Sequence, residues 1–169
     1  RRGRSVIDNP DRLRPTVPVP AGTSMNIAGR KLDVHVAPFA ATEADLWIYD
    51  PETRLAIVGD LVVDIVPFMD TACAGGWQKA LEEVEATPFV TLIPGHGEPM
   101  DRFAFLRWKA AFDNFVECGQ STRAKEECVA GWKRDASQFI DAAHAEYVGE
   151  AAAYYLDTRL RSSAEEQQK

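Results

Sequence analysis

The chain has 169 residues, with 19 Lys and Arg against 26 Asp and Glu for a formal net charge of −7, and 46% of its residues are hydrophobic. That composition suits one folded domain with a sizeable core and excludes intrinsic disorder, while the acid excess and the lack of a basic stripe exclude nucleic-acid binding driven by counterion release. No apolar run approaches the roughly 20 residues that a helix needs to cross a bilayer, so a membrane-spanning helix is excluded as well.

Residues 1–24 read as an extended surface arm or connector, because the proline spacing in Arg14-Pro-Thr-Val-Pro-Val-Pro20 favours extended backbone without a regular ladder. The start, Arg1-Arg-Gly-Arg-Ser5, has neither an initiator Met nor a following apolar segment, and it reads as a mature or truncated product. From Met25 short strands are predicted. Leu32, Val34 and Val36 alternate with Asp33 and His35, which puts the apolar side chains on one sheet face and the polar pair on the other. Asp45–Tyr49 and Arg54–Asp60 flank Asp50-Pro-Glu-Thr53, a β-hairpin with Pro51 presetting the turn.

Pro67 interrupts the apolar run after Asp60, and an irregular stretch leads to a predicted helix with Trp77, Ala80, Leu81 and Val84 on one face. Thr87-Pro88 stops it. Phe89–Ile93 is then a buried strand ending in the loop Pro94-Gly-His-Gly97. From Asp101 the chain reads as helical almost to the end. The stripes are Phe105, Trp108, Phe112 and Phe115; then Cys128, Val129, Trp132, Phe139, Ile140 and Ala143; then Val148, Ala151, Ala152, Tyr155 and Leu156, before a polar tail from Ser162 to Lys169. Cys118 and Cys128 lie about a turn between two of these helices and either close a disulfide or stay as buried thiols, with Cys73 left over. A bridge places the protein in the periplasm or outside the cell; without one the cytoplasm is expected.

Two strand ends carry metal-type ligands. Gly59-Asp60 presents a carboxylate, and His96 stands in the Gly-flanked loop after the next strand; imidazole and carboxylate together suit zinc, manganese or iron. In order, Thr42-Glu-Ala-Asp-Leu46, the strand pair ending in Gly59-Asp60-Leu61, Pro67, Trp77 with Ala80-Leu81, and Ile93-Pro-Gly-His-Gly97 resemble the C-terminal half of the metallo-β-lactamase superfamily, over roughly residues 20–105. The resemblance implies an α/β fold, the C-terminal half of an αββα sandwich over residues 25–105, followed here by a helical extension over 106–169. It also implies a zinc centre of one or two ions at the rim between two similar halves. Asp60 matches the carboxylate that bridges two metals, and His96 matches the last His ligand.

The departures matter equally. The family has a His directly before the Thr aligned with Thr42, where this chain has Ala41, and no segment matches the His-x-His-x-Asp-His motif of the N-terminal half. Of the other two histidines, His144 reads as surface or packing and His35 as mid-strand rather than as a substitute ligand. Asp45 is expected to cap its strand. Asp64 and Asp70 flank a loop that bears the substrate pocket in the family, and Trp47, Phe68 and Met69 either line it or pack the core. Two functions follow: a metal-dependent hydrolase acting on a small-molecule substrate, or a non-catalytic module whose metal site has degenerated. Half a sandwich leaves an apolar sheet face without its partner layer, so either an N-terminal half of the same fold or a second copy, in a homodimer, is expected to cover it.

Overall fold

The computed structural model describes residues 17–19, 22–140 and 144–162. Six strands form one sheet in chain order: β1 (Thr23–Ile27), β2 (Arg30–Pro38), β3 (Ala44–Asp50), β4 (Leu55–Gly59), β5 (Thr91–Pro94) and β6 (Met100–Asp101). The first two form a hairpin around Ala28 and Gly29, both at positive φ (52° and 83°), the handedness a two-residue hairpin turn requires. β3 and β4 form the expected hairpin around Pro51, with Arg54 in the turn rather than in the strand.

One pairing differs in direction from the rest. β4 and β5 run parallel, which requires a long crossover, and the helix α1 (Ala74–Ala86) supplies it. Its buried residues are the predicted Trp77, Ala80, Leu81 and Val84. The predicted strand Phe89–Ile93 starts later, at Thr91; Phe89 is buried ahead of it, edge-on to Phe105.

Among the described residues the C-terminal region comprises α2 (Arg102–Gly119), α3 (Lys125–Asp135), α4 (Ala145–Tyr155) and a π-helical turn, Leu156–Leu160, with the expected turn after Cys118 separating α2 from α3. The Asp101 carboxylate starts α2 by accepting from the Ala104 N–H at 2.7 Å. Phe105, Trp108, Phe112 and Phe115 are all buried, as their spacing predicts. A disulfide joins Cys118 to Cys128, with Cα atoms 5.5 Å apart, tying the end of α2 to α3. The second predicted stripe breaks, because α3 stops at Asp135: Phe139 and Ile140 are half-buried in the turns beyond it. Ala143, most of the N-terminal arm and the tail beyond Ser162 lie outside the described residues.

Among the described residues helices and sheet share one core, which lies on one side of the sheet. Trp47, Tyr49, Ala56, Val58 and Leu92 point into it, among Trp77, Trp108 and Phe112. On the other side, register brings Leu32, Val36, Leu46, Ile48, Ile57 and Ile93 onto a common face. That face is partly open: Leu46 is 54% and Ile57 41% exposed, although Val34, in register with Ile48 on the same face, is buried. The alternation predicted for β2 holds, but its apolar set faces away from the helices, whereas His35 stacks on buried Trp47 with ring centroids 3.8 Å apart. No described helix is long and apolar enough to cross a membrane.

Candidate active site

The parallel pair builds the site. Two parallel strands end at the same edge of a sheet, so β4 delivers Asp60 and β5 delivers His96 to one rim, the location where open α/β sheets place their ligands. Asp60 Oδ1 and His96 Nε2 stand 3.7 Å apart, with side chains 66% and 68% exposed. The strand ends approach so closely that a Cβ on Gly95 would lie 1.9 Å from Asp60 Oδ1 and 2.4 Å from the Gly59 carbonyl carbon, leaving room for glycine alone. Gly97, at φ +107°, turns the loop back past Asp64, whose Cβ would be 2.7 Å from an added Cβ.

The helical layer fixes the loop that follows Asp60. The Trp77 indole donates to the Leu61 carbonyl at 3.0 Å and the Trp108 indole to the Val63 carbonyl at 2.7 Å, and both rings are fully buried. Gly95 N–H donates to the Val62 carbonyl at 3.0 Å, which ties the two ligand-bearing loops together. These bonds satisfy backbone carbonyls that would otherwise be buried unpaired.

A cavity of about 280 Å³ opens beside the pair, lined by Ala41, Thr42, Asp60, Val63, Ile65, Val66, Phe68, Thr71, Trp77 and His96. Thus Ala41, in the position where the resemblance expects a histidine, shares one cavity with Asp60 and His96. Thr71 Oγ1 holds this segment by donating to the Ala41 carbonyl at 3.0 Å. Of the aromatic and sulfur candidates for a pocket wall, Phe68 lines the cavity, while Trp47 and Met69 are core residues. Trp77 serves both purposes. Sequence reasoning missed Val63, Ile65, Val66 and Thr71 as wall residues; the apolar run after Asp60 is the signal for the first three, and Thr71 has none.

The remaining candidates lie elsewhere. Asp45 accepts the Thr42 N–H at 2.9 Å and the Thr42 hydroxyl at 3.0 Å, so it braces the turn before β3. Asp70 faces Arg159 at 3.5 Å and the Tyr154 hydroxyl at 3.4 Å. Burial, with the Asp70 charge adding to it, pushes the neighbouring Tyr155 phenol up to about 12, so Tyr155 stays neutral. His144 is exposed at the start of α4. Among the described residues no group of three or more His, Cys, Asp and Glu is placed to hold a metal ion.

The same architecture occurs in solved structures. The stereoselective inverting sec-alkylsulfatase Pisa1 from Pseudomonas sp. superposes with a TM-score of 0.62 at 14% identity, over 84% of this chain and 26% of that one. A metallo-β-lactamase family protein from Thermus thermophilus gives 0.53 at 16% identity, over 85% of this chain and 50% of that one. The chain carries part of the metallo-β-lactamase fold. A metallo-β-lactamase from Pontibacter korlensis gives 0.50 at 19% identity, over 59% of this chain and 49% of that one. This metallo-β-lactamase-fold chain therefore spans about half the length of two of these neighbours and about a quarter of the third. No sequence-family model and no curated protein sequence matches it.

Proposed function

We propose that the chain is the C-terminal half of a metal-dependent hydrolase of the metallo-β-lactamase fold acting on a small-molecule substrate, with Asp60 and His96 as its contribution to a zinc centre. The observation that carries this reading is the convergence of the two side chains, 3.7 Å apart, from separate parallel strands. Two donors do not make a zinc site, which takes three or four protein ligands, so the chain's own described residues do not fit the metal unaided. What they supply is a carboxyl and an imidazole on one rim, held by Gly95 and by the indole-pinned loop. The other donors come from the layer that covers the open sheet face. The length shared with the neighbours supports a complementary half of the same fold in that place over a second copy. The disulfide supports an oxidising compartment, the periplasm or the exterior.

Isothermal titration with zinc tests the placement. The wild-type chain is expected to bind zinc weakly, Asp60→Ala and His96→Ala each to weaken it at least about tenfold, the scale of effect seen even for groups that only support a metal ligand, and circular dichroism to stay unchanged. Zinc uptake by the double variant equal to the wild type refutes the assignment. Light scattering on the eluting chain speaks to the partner: a mass of 18.7 kDa at all concentrations fits a complementary half, and a stable dimer assigns the face to a second copy.

A second reading, a non-catalytic module with a degenerate metal site, has its own support in Ala41, a buried methyl in the cavity that holds Asp60 and His96. Ala41→His discriminates. If the site lacks only this donor, the variant gains at least about tenfold in zinc affinity; if the chain depends on outside ligands, zinc binding stays weak until they are supplied.

A further inference from the structure

We propose that the cavity beside Asp60 and His96 binds an uncharged alkyl or aryl group, so that the substrate carries an apolar arm next to its reacting bond; the second clause rests on the reading of Asp60 and His96 as the reacting end. The walls are Ala41, Val63, Ile65, Val66, Phe68 and Trp77. Their polar neighbours are engaged elsewhere: the Thr42 hydroxyl donates to Asp45, the Thr71 hydroxyl to the Ala41 carbonyl, and the Trp77 indole to the Leu61 carbonyl. Inside the cavity a ligand therefore gains chiefly by leaving water for apolar wall. Asp60 and His96 are the polar exception, and both are lining residues.

The wall is also built rather than incidental. Phe68 is 58% exposed, an unfavourable position for a large ring, yet it is held edge-on against Tyr155 with centroids 6.2 Å apart. Its free face belongs to the cavity. Ala41 contributes a methyl where a larger side chain would fill the space, and no Lys or Arg lines the cavity, so no ammonium or guanidinium there compensates an anionic arm beside Asp60. The volume of about 280 Å³ admits roughly a hexyl chain or one aromatic ring, taking about 30 Å³ for each water-sized group.

The test is an amide-detected NMR titration of the whole chain with N-hexylacetamide in chelator-containing buffer, with the butyl and methyl amides as comparisons. Saturable shifts are expected at Thr42, Thr71 and the Trp77 indole N–H, with affinity rising about three- to fourfold per methylene from butyl to hexyl, the ratio that burial of one methylene implies. Phe68→Ala, at an exposed position, is expected to weaken hexyl binding several-fold, and Ala41→Leu to abolish it by filling the cavity. Shifts confined to Leu46, Ile48 and Ile57 on the opposite face, or affinity independent of chain length, overturn the proposal. So does undiminished binding by a folded Phe68→Ala. Because metal is chelated, the zinc titration and this one fail separately: a hexyl amide bound by a chain that takes no zinc keeps the pocket and removes the reacting end.

Discussion

The two faces of the sheet differ less in sequence than in surroundings. In β3 the run Leu46-Trp47-Ile48-Tyr49 is apolar throughout; Trp47 is fully buried beneath the helices and Leu46, one residue earlier, is more than half exposed on the other side. The same holds in β4, where buried Ala56 and Val58 flank exposed Ile57. Strands apolar on both sides are the signature of a sheet that lies between two layers, and the described residues supply one of them. An apolar pattern reports the environment for which a strand is suited, which here exceeds what the described chain provides.

Truncation under the helices is the severest way to break that contrast. Trp108→Ala removes a fully buried ring and leaves the Val63 carbonyl without its donor, so a loss of about 3–5 kcal/mol is expected in urea unfolding. The loop after Asp60 is expected to loosen with it. Reducing the Cys118–Cys128 bridge acts on the same helical layer through the unfolded chain and is expected to cost about 2–3 kcal/mol, the closure entropy of a loop this short. A comparison of unfolding with and without reductant measures it, with the exposed Cys73 replaced by Ser to prevent exchange.

Asp50 extends the contrast to charge. It lies on the open-face side of β3 yet is buried, bonded to the Thr53 hydroxyl at 2.7 Å, to the Glu52 N–H at 3.0 Å and to the Arg30 guanidinium. The Thr53 hydrogen bond, outweighing the opposing effect of burial and joined by Glu52 and Arg30, holds its pKa below the ordinary carboxylate value. A depressed folded-state pKa stabilises the protein fully above the unfolded value near 4, and that contribution is lost as pH falls through the folded value. Asp50→Asn is therefore expected to flatten the acid limb of stability against pH while leaving its slope above about pH 5 alone. An unchanged acid limb in urea midpoints measured across that range contradicts the assignment.

How much of this is legible in the sequence depends on whether the signal is local. The α1 face, the hairpin around Pro51 and the aromatic stripe of α2 follow from spacing and turn chemistry, and each is found. Asp60 and His96 stand out because carboxylate and imidazole each follow an apolar strand beside a glycine, and the parallel pairing brings them together. In the C-terminal stretch the break between α2 and α3 is legible, because the polar run after Cys118 reads as a turn between two helices, whereas the end of α3 at Asp135 is not, since the apolar spacing continues past it to Phe139 and Ile140. Nor is the direction in which Leu32, Val34 and Val36 face. Period-two alternation separates two faces without saying which one the helices cover, and only the register with Trp47 decides it. The cavity wall is half legible: Phe68 is among the candidates, but which of three side chains the fold turns outward depends on tertiary packing.

The smallest effect sharpens the comparison most. Leu46→Ser and Ile57→Ser replace exposed side chains on the open face, so the stability of the chain alone is expected to change by no more than about 0.5 kcal/mol, as for ordinary surface positions. The equivalent change at Ala56 or Val58, one residue away on the covered face, would bury a hydroxyl in the core and cost several times as much. Near-neutrality of the first pair therefore shows that the strand has a free side. If the same two substitutions prevent a complementary sheet from being captured, that side is an interface whose energy is realised only on assembly, because apolar area contributes when it leaves water. A loss of about 2 kcal/mol or more in the chain alone, on the order of a buried side-chain truncation, would instead mean that the open face is already packed in solution, and urea midpoints measured at two protein concentrations separate self-pairing from closure within one chain.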